Sequence, residues 1–297
     1  MRERCLLLMF LLPLTAIGQS YLQPFSGSLR TEYFEFHYRT NQAHVAEIAR
    51  FADSFVKTVN RDFFKADFDY PIQVLVLEDR ARFQDFLRRE FQIADPPGFG
   101  VYLYAYKLFA TYEDSGLGTF THEIMHPLVE RNLKDRPVWA IEGIPTFFEK
   151  FYGYWTNGES VIQWGYQNPW RIQLLGTNLT RLDLQSLLTT TDPQGQFRES
   201  DLRMVSMFLW EQGQFPHFLQ LIQKREKDGY NSYFEAALKM PVEKVLPLWQ
   251  QYLNNVAANR SQIMRYPPST IMNDEPAFER FAEFYKIPIK SPPKSGQ

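Results

Sequence analysis

His122-Glu123-Ile124-Met125-His126 constrains this chain more than any other segment. On an α-helix, residues four apart lie on the same face, one turn above the other, so a helical segment lets its two imidazoles act together. Two imidazoles one turn apart, with a carboxylate beside the first, are donors suited to a single divalent ion. The short run Trp139-Ala140-Ile141-Glu142-Gly143 follows. Asn132, Lys134, Asp135, Arg136 and Pro137 between the two are polar or helix-breaking. That composition lets the chain turn and bring Glu142 back on a second helix.

A catalytic zinc site takes three protein ligands at about 2.0–2.1 Å and keeps one position for water. His122, His126 and Glu142 supply that number. Glu123, one residue along the helix from His122, points beside the ion rather than at it. It is placed to take the proton of a zinc-acidified water and pass it to a leaving amine. A closed structural zinc site is disfavoured, because such sites use cysteine and the only cysteine, Cys5, lies at the start of the chain.

This combination of H-E-x-x-H and downstream W-x-x-E-G resembles the gluzincin metallopeptidases, and among them the peptidase MA-like family of bacterial proteins. The resemblance extends from about Phe34 to about Leu253. It implies one zinc ion held by His122, His126 and Glu142, with Glu123 as the catalytic base and a peptide or protein as substrate. It also implies an α+β fold, with a gluzincin-like catalytic unit (small sheet plus H-E-x-x-H helix) followed by a mostly α-helical C-terminal unit. Two prolines depart from the family pattern. Pro127 follows the second His and frees the Glu123 carbonyl from its helical bond, which predicts a kink past the ligands. Pro145 requires the second helix to begin near Glu142 or to bend there. Related proteins often carry a carboxylate four residues after the ligand Glu, where this chain has Thr146, with Glu149 further on.

Period-two alternation predicts a strand over 32–39, with Phe34, Phe36 and Tyr38 on one face. Helical spacing of apolar residues follows over 41–63, then a buried strand over 71–77. A second helix carries Phe83, Phe86, Leu87 and Phe91. Val101–Tyr106 reads as a strand bordering the cleft, paired with 108–112, whose edge an extended peptide could join. Residues 153–199 are punctuated by Gly and Pro and read as a loop-rich connection, with Trp164, Tyr166 and Trp170 either over the site or packed beneath it. Helical stripes dominate 200–256, and a Pro-rich tail over 257–297 reads as frayed. Tyr104, Tyr106, Tyr166 and His217 are the candidates for an oxyanion donor, and no motif selects among them.

Residues 1–18 combine a basic start, a short apolar run and small residues near Ala16 and Gly18, which reads as a secretory signal peptide. The division is then 1–18 signal peptide, 19–152 catalytic unit, 153–199 connection, 200–256 helical unit and 257–297 tail, with export to the periplasm or outside the cell. The apolar run is shorter than the roughly 20 residues a spanning helix needs, so no stable membrane span is expected after signal removal. The exported form would lack cysteine and therefore disulfides. A formal charge of −2 without a basic cluster argues against nucleic acid as a partner. The favoured reading is an exported zinc-dependent peptidase. Two others stay open: a catalytically silent secreted binding protein on the same scaffold, and a zinc hydrolase of a non-peptide amide or ester.

Overall fold

The structure is a computed structural model that describes residues 20–64, 71–133, 139–190, 197–224 and 230–290. The expected signal peptide, and most of the turn between the two halves of the motif, lie outside the described residues. The fold is α+β.

A five-stranded sheet is built from β1 (Gly27–Arg30), β2 (Phe34–Tyr38), β3 (Ile72–Leu77), β4 (Gly100–Leu103) and β5 (Leu108–Tyr112), in the order β1-β2-β3-β5-β4. The three central strands are parallel to one another, and the strands at both edges run antiparallel to their neighbours. Alternation sorts the side chains. Phe34, Phe36, Val74, Val76 and Phe109 enter the main core. Leu75, Leu77, Leu108, Ala110 and Tyr112 form a second core on the opposite face. That second face is covered by α2 (Arg80–Phe91) through Phe83, Phe86 and Leu87. On the main face lies α1 (Gln42–Asp62), started by the Asn41 side chain, which accepts from the Ala43 N–H. Its buried stripe includes Val45, Ala49, Ala52, Val56 and Val59, at helical spacing.

The motif helix α3 (Leu117–Asn132) follows β5 and packs against β4, the edge strand. It runs through Pro127 without losing helical assignment, so the expected kink does not divide it. A single π-turn, Trp139–Gly143, carries Glu142 and leads into α4 (Ile144–Phe148). Pro145 sits in the first turn of α4, where the N–H that proline lacks is least missed.

The stretch over 153–199 differs from a loop-rich hinge. It contains most of β6 (Tyr152–Thr156), then β7 (Glu159–Gln163), α5 (Pro169–Leu175) and α6 (Leu184–Thr189). Its apolar residues Ile162, Trp164, Ile172, Leu175 and Leu187 join the same core as Phe34 and Phe208. The Gly and Pro punctuation marks turns between short elements rather than a junction between units. Helices α7 (Glu199–Glu211), α8 (Phe215–Lys224), α9 (Tyr230–Leu238), α10 (Val242–Ala258) and α11 (Arg260–Ile263) then complete the helical half. The tail is not frayed through residue 290. Strand β8 (Thr270–Met272) pairs in parallel with β6, and α12 (Glu275–Tyr285) buries Phe278 and Ala282 against Tyr152 and Tyr166. Among the described residues no helix is long and apolar enough to cross a membrane.

Candidate metal centre

Three close approaches assemble the site. Gly118, in the first turn of α3, faces the backbone at the end of α4, and a Cβ there would lie 2.7 Å from the Glu149 carbonyl oxygen. Thr121 Oγ1 donates to the Phe148 carbonyl at 2.9 Å and closes the same crossing. The third contact explains the Gly after Glu142. A Cβ at Gly143 would lie 2.7 Å from the Leu202 carbonyl oxygen, so only glycine lets α7 sit this close to the π-turn. Ser206 Oγ and Thr146 Oγ1 both donate to the Gly143 carbonyl, at 2.9 and 3.0 Å. Thr146 thus stabilises the turn and does not stand in for a carboxylate beside the histidines.

His122, Glu123 and His126 are each 7% exposed or less. Burial of three polar side chains in contiguous turns is costly unless they serve one another or a ligand. A polar group stands behind each imidazole at its Nδ1. Glu149 Oε1 lies 2.9 Å from His122 Nδ1, and the Tyr104 hydroxyl lies 3.0 Å from His126 Nδ1. Both Nε2 atoms therefore face inward. His122 Nε2 is 3.5 Å from Glu142 Oε2, and His126 Nε2 is 3.8 Å from Glu123 Oε2.

The donors fall into two groups that share His122. One is His122, Glu123 and His126; the other is His122, Glu142 and Glu199; within each, ligand atoms lie within 4.8 Å of one another. The buried His122-Glu123-His126 group can hold a metal ion. Of the three expected ligands, His122 is brought to both others' side chains, while His126 and Glu142 do not share one group. Two ligands of a tetrahedral ion with bonds of about 2.0–2.1 Å stand about 3.3 Å apart. The His122–Glu142 separation of 3.5 Å fits that edge. Glu142 is also the more exposed of these side chains, 23% against 7% for His126, so it is the one with room to swing inward.

Electrostatics follow from burial and like charge. Burial, opposed by His122 and aided by Glu142 and Glu199, pushes the Glu123 carboxyl up to about 8. Burial also raises Glu142. Burial disfavours the His122 imidazolium, but Glu142 and Glu149 contact it and leave its pKa well above the ordinary histidine value. Burial takes His126 well below it. Glu149 is held low despite its burial, chiefly by the charge of the Arg171 guanidinium and the bonds it makes. Arg171 Nε donates to Glu149 Oε2 at 2.9 Å, a second Arg171 nitrogen pairs with Glu149 Oε1, and the third lies 2.5 Å from Glu199 Oε2. Asn168 Nδ2 adds a donation to Glu149 at 3.1 Å.

Glu149, Arg171 and Glu199 were not selected from sequence. Glu149 stood in view as the next carboxylate after Thr146. Arg171 and Glu199 arrive from α5 and α7 with no local motif to mark them. Among the oxyanion candidates, Tyr104 is at the site but its hydroxyl is on His126. Tyr166 is buried on Gln163 and the Pro288 carbonyl. Tyr106 is exposed and packs on Phe91. His217 lies in α8, among helices remote in sequence from the motif. Trp164 packs in the core, whereas Trp170 is exposed and stacks on Arg171. No protein-family model matches the chain, and a search of curated proteins returns no match.

Proposed function

We propose that the chain is a zinc-dependent peptidase of the gluzincin, peptidase MA-like kind, exported through its N-terminal segment. One observation carries the reading. Two buried imidazoles have their outer nitrogens facing Glu149 and Tyr104 and their inner nitrogens turned toward Glu142 and Glu123. His122, His126 and Glu142 would hold the ion. When bound, it would supply Lewis acidity that polarises a carbonyl and acidifies water.

The remaining steps belong to side chains of this chain. Glu123 accepts the proton of the attacking water as its oxygen bonds to the carbonyl carbon. The C–N bond then breaks, and Glu123 returns the proton to the departing amine. A carboxyl raised toward neutrality by burial suits both halves of that transfer. The Tyr102 backbone N–H donates to Glu123 and fixes its direction. Glu149 and Arg171 keep the His122 ring oriented, and Tyr104 does the same for His126. Strand β4 lies at the sheet edge beside α3, where an extended substrate could add a strand.

Glu123→Gln is the test. It should leave zinc affinity nearly intact and lower turnover of a cleaved peptide by several orders of magnitude. Equal turnover by both proteins, or no cleavage across a broad peptide library by the zinc-loaded wild type, ends the peptidase reading.

A further inference from the structure

The last carbonyls of a helix have no partner within it. Helix α4 is five residues long and Glu149 caps it, so the carbonyls of Phe148 and Glu149 need partners from elsewhere. Two hydroxyls supply them. Thr121 Oγ1, on the motif helix, donates to the Phe148 carbonyl at 2.9 Å. Ser269 Oγ, just before β8, donates to the Glu149 carbonyl at 2.6 Å across a separation of 120 residues. The Phe151 N–H in turn donates to Ser269 Oγ at 3.2 Å. The neighbouring residues share this grip. Lys150 Nζ and the Tyr152 hydroxyl, the latter at 2.8 Å, both donate to the Pro267 carbonyl. Tyr152 then pairs with Thr270, the first residue of β8. Pro267 and Pro268 each fix φ near −65°, which stiffens the segment that presents these groups.

What the grip controls is one side chain away. Glu149 Oε1 lies 2.9 Å from His122 Nδ1, and Arg171 holds the same carboxylate. Arg171 fixes the outer end of the Glu149 side chain; the backbone sets where that side chain starts. On one side the backbone meets α3, where a Cβ at Gly118 would lie 2.7 Å from the Glu149 carbonyl oxygen. Ser269 holds that same oxygen from the C-terminal segment. A shift of the Glu149 backbone would therefore turn the His122 ring and move its inner nitrogen. Metal bonds of about 2.0–2.1 Å register such a movement as lost affinity.

We propose that Ser269 is a positioning residue of the metal centre: it holds the Glu149 backbone, and through it the carboxylate that orients His122. The proposal rests on the zinc reading of the site, and its test reads zinc affinity by chelator competition rather than cleavage. The net worth of one hydrogen bond is roughly a three- to tenfold change in an equilibrium constant, so Ser269→Ala should weaken zinc binding by about that factor. Ser269→Thr keeps the hydroxyl and should retain the wild-type affinity. Tyr154→Phe removes the exposed bond from Tyr154 to Glu275 at 3.0 Å, loosening the same tail away from Glu149, and should also retain it. In a Glu149→Ala background, Ser269→Ala should cost no further affinity, because the carboxylate it positions is gone. A loss below threefold for Ser269→Ala, an equal loss for Ser269→Thr or Tyr154→Phe, or an undiminished further loss in the Glu149→Ala background overturns the assignment. If Glu149→Ala does not fold, the other three variants decide. A wild type that binds no zinc overturns this proposal together with the metal reading, whereas a zinc-binding chain that cleaves no peptide loses the peptidase reading alone.

Discussion

Replacing Arg171 with Met tests the electrostatic frame of the site most severely. Arg171 is 5% exposed and meets Glu149 through two nitrogens and Glu199 through the third. Met can occupy the space of the stem but leaves Glu149, itself 7% exposed, with only Asn168 and His122. Removing one member of a buried pair costs about 3–5 kcal/mol, because the other charge stays buried without compensation. Glu149 limits the loss by taking up a proton once Arg171 no longer holds its pKa down. The expected loss is therefore about 3 kcal/mol at pH 7, a large share of the 5–15 kcal/mol typical of a folded domain. Urea unfolding of the metal-free protein reads it: with a slope near 3 kcal/mol per molar, the midpoint falls by about 1 M. The double variant Arg171→Met, Glu149→Gln should recover part of that loss, since neither charge then remains. A midpoint within 0.2 M of the wild type, or strictly additive single variants, would show that Arg171 and Glu149 are not coupled as described.

Tyr104→Phe removes the hydroxyl at His126 Nδ1 and should weaken zinc binding about 10- to 100-fold in a chelator competition; unchanged affinity removes Tyr104 from the site. Gly165→Ala should destabilise the fold by more than about 2 kcal/mol. Its φ of +77° disfavours any side chain, and a Cβ would lie 1.9 Å from Trp210 Nε1, so a loss below 0.5 kcal/mol in thermal unfolding contradicts that packing. Lys150 is buried, which brings its pKa down to about 7, and burial brings Lys290 to about 8. Each binds fewer protons folded than unfolded between that value and the ordinary lysine value. Stability should therefore rise as pH climbs from about 7 toward 10, by up to about 1.4 kcal/mol per unit for each lysine. Lys150→Met should flatten that rise in denaturant titrations, and an unaltered slope would show that Lys150 is not the source.

The sequence disclosed what is local. His122 and His126 are coupled by helical geometry alone, and Glu142 stands beside His122 with only a short connection between the two segments. The strands and helices before residue 133 follow from period and caps, as with the Asn41 cap on α1 and the alternation in β2. What was hidden is tertiary. Glu149, seven residues after Glu142, takes the place expected at Thr146, whose hydroxyl is spent on the Gly143 carbonyl. Arg171 and Glu199 lie 22 and 50 residues from Glu149, and no short pattern joins residues so far apart. The tail reads as loop because β8 is only three residues long, and its order comes from a parallel partner more than a hundred residues earlier.

The central claim is that His122, His126 and Glu142 share one ion. Anomalous diffraction on either side of the zinc absorption edge, from crystals of the zinc-loaded protein, measures this most directly. One peak about 2.0–2.1 Å from His122 Nε2, His126 Nε2 and a Glu142 oxygen is the expected result. A peak that leaves out Glu142 or either imidazole, or no peak at full zinc loading, would contradict it.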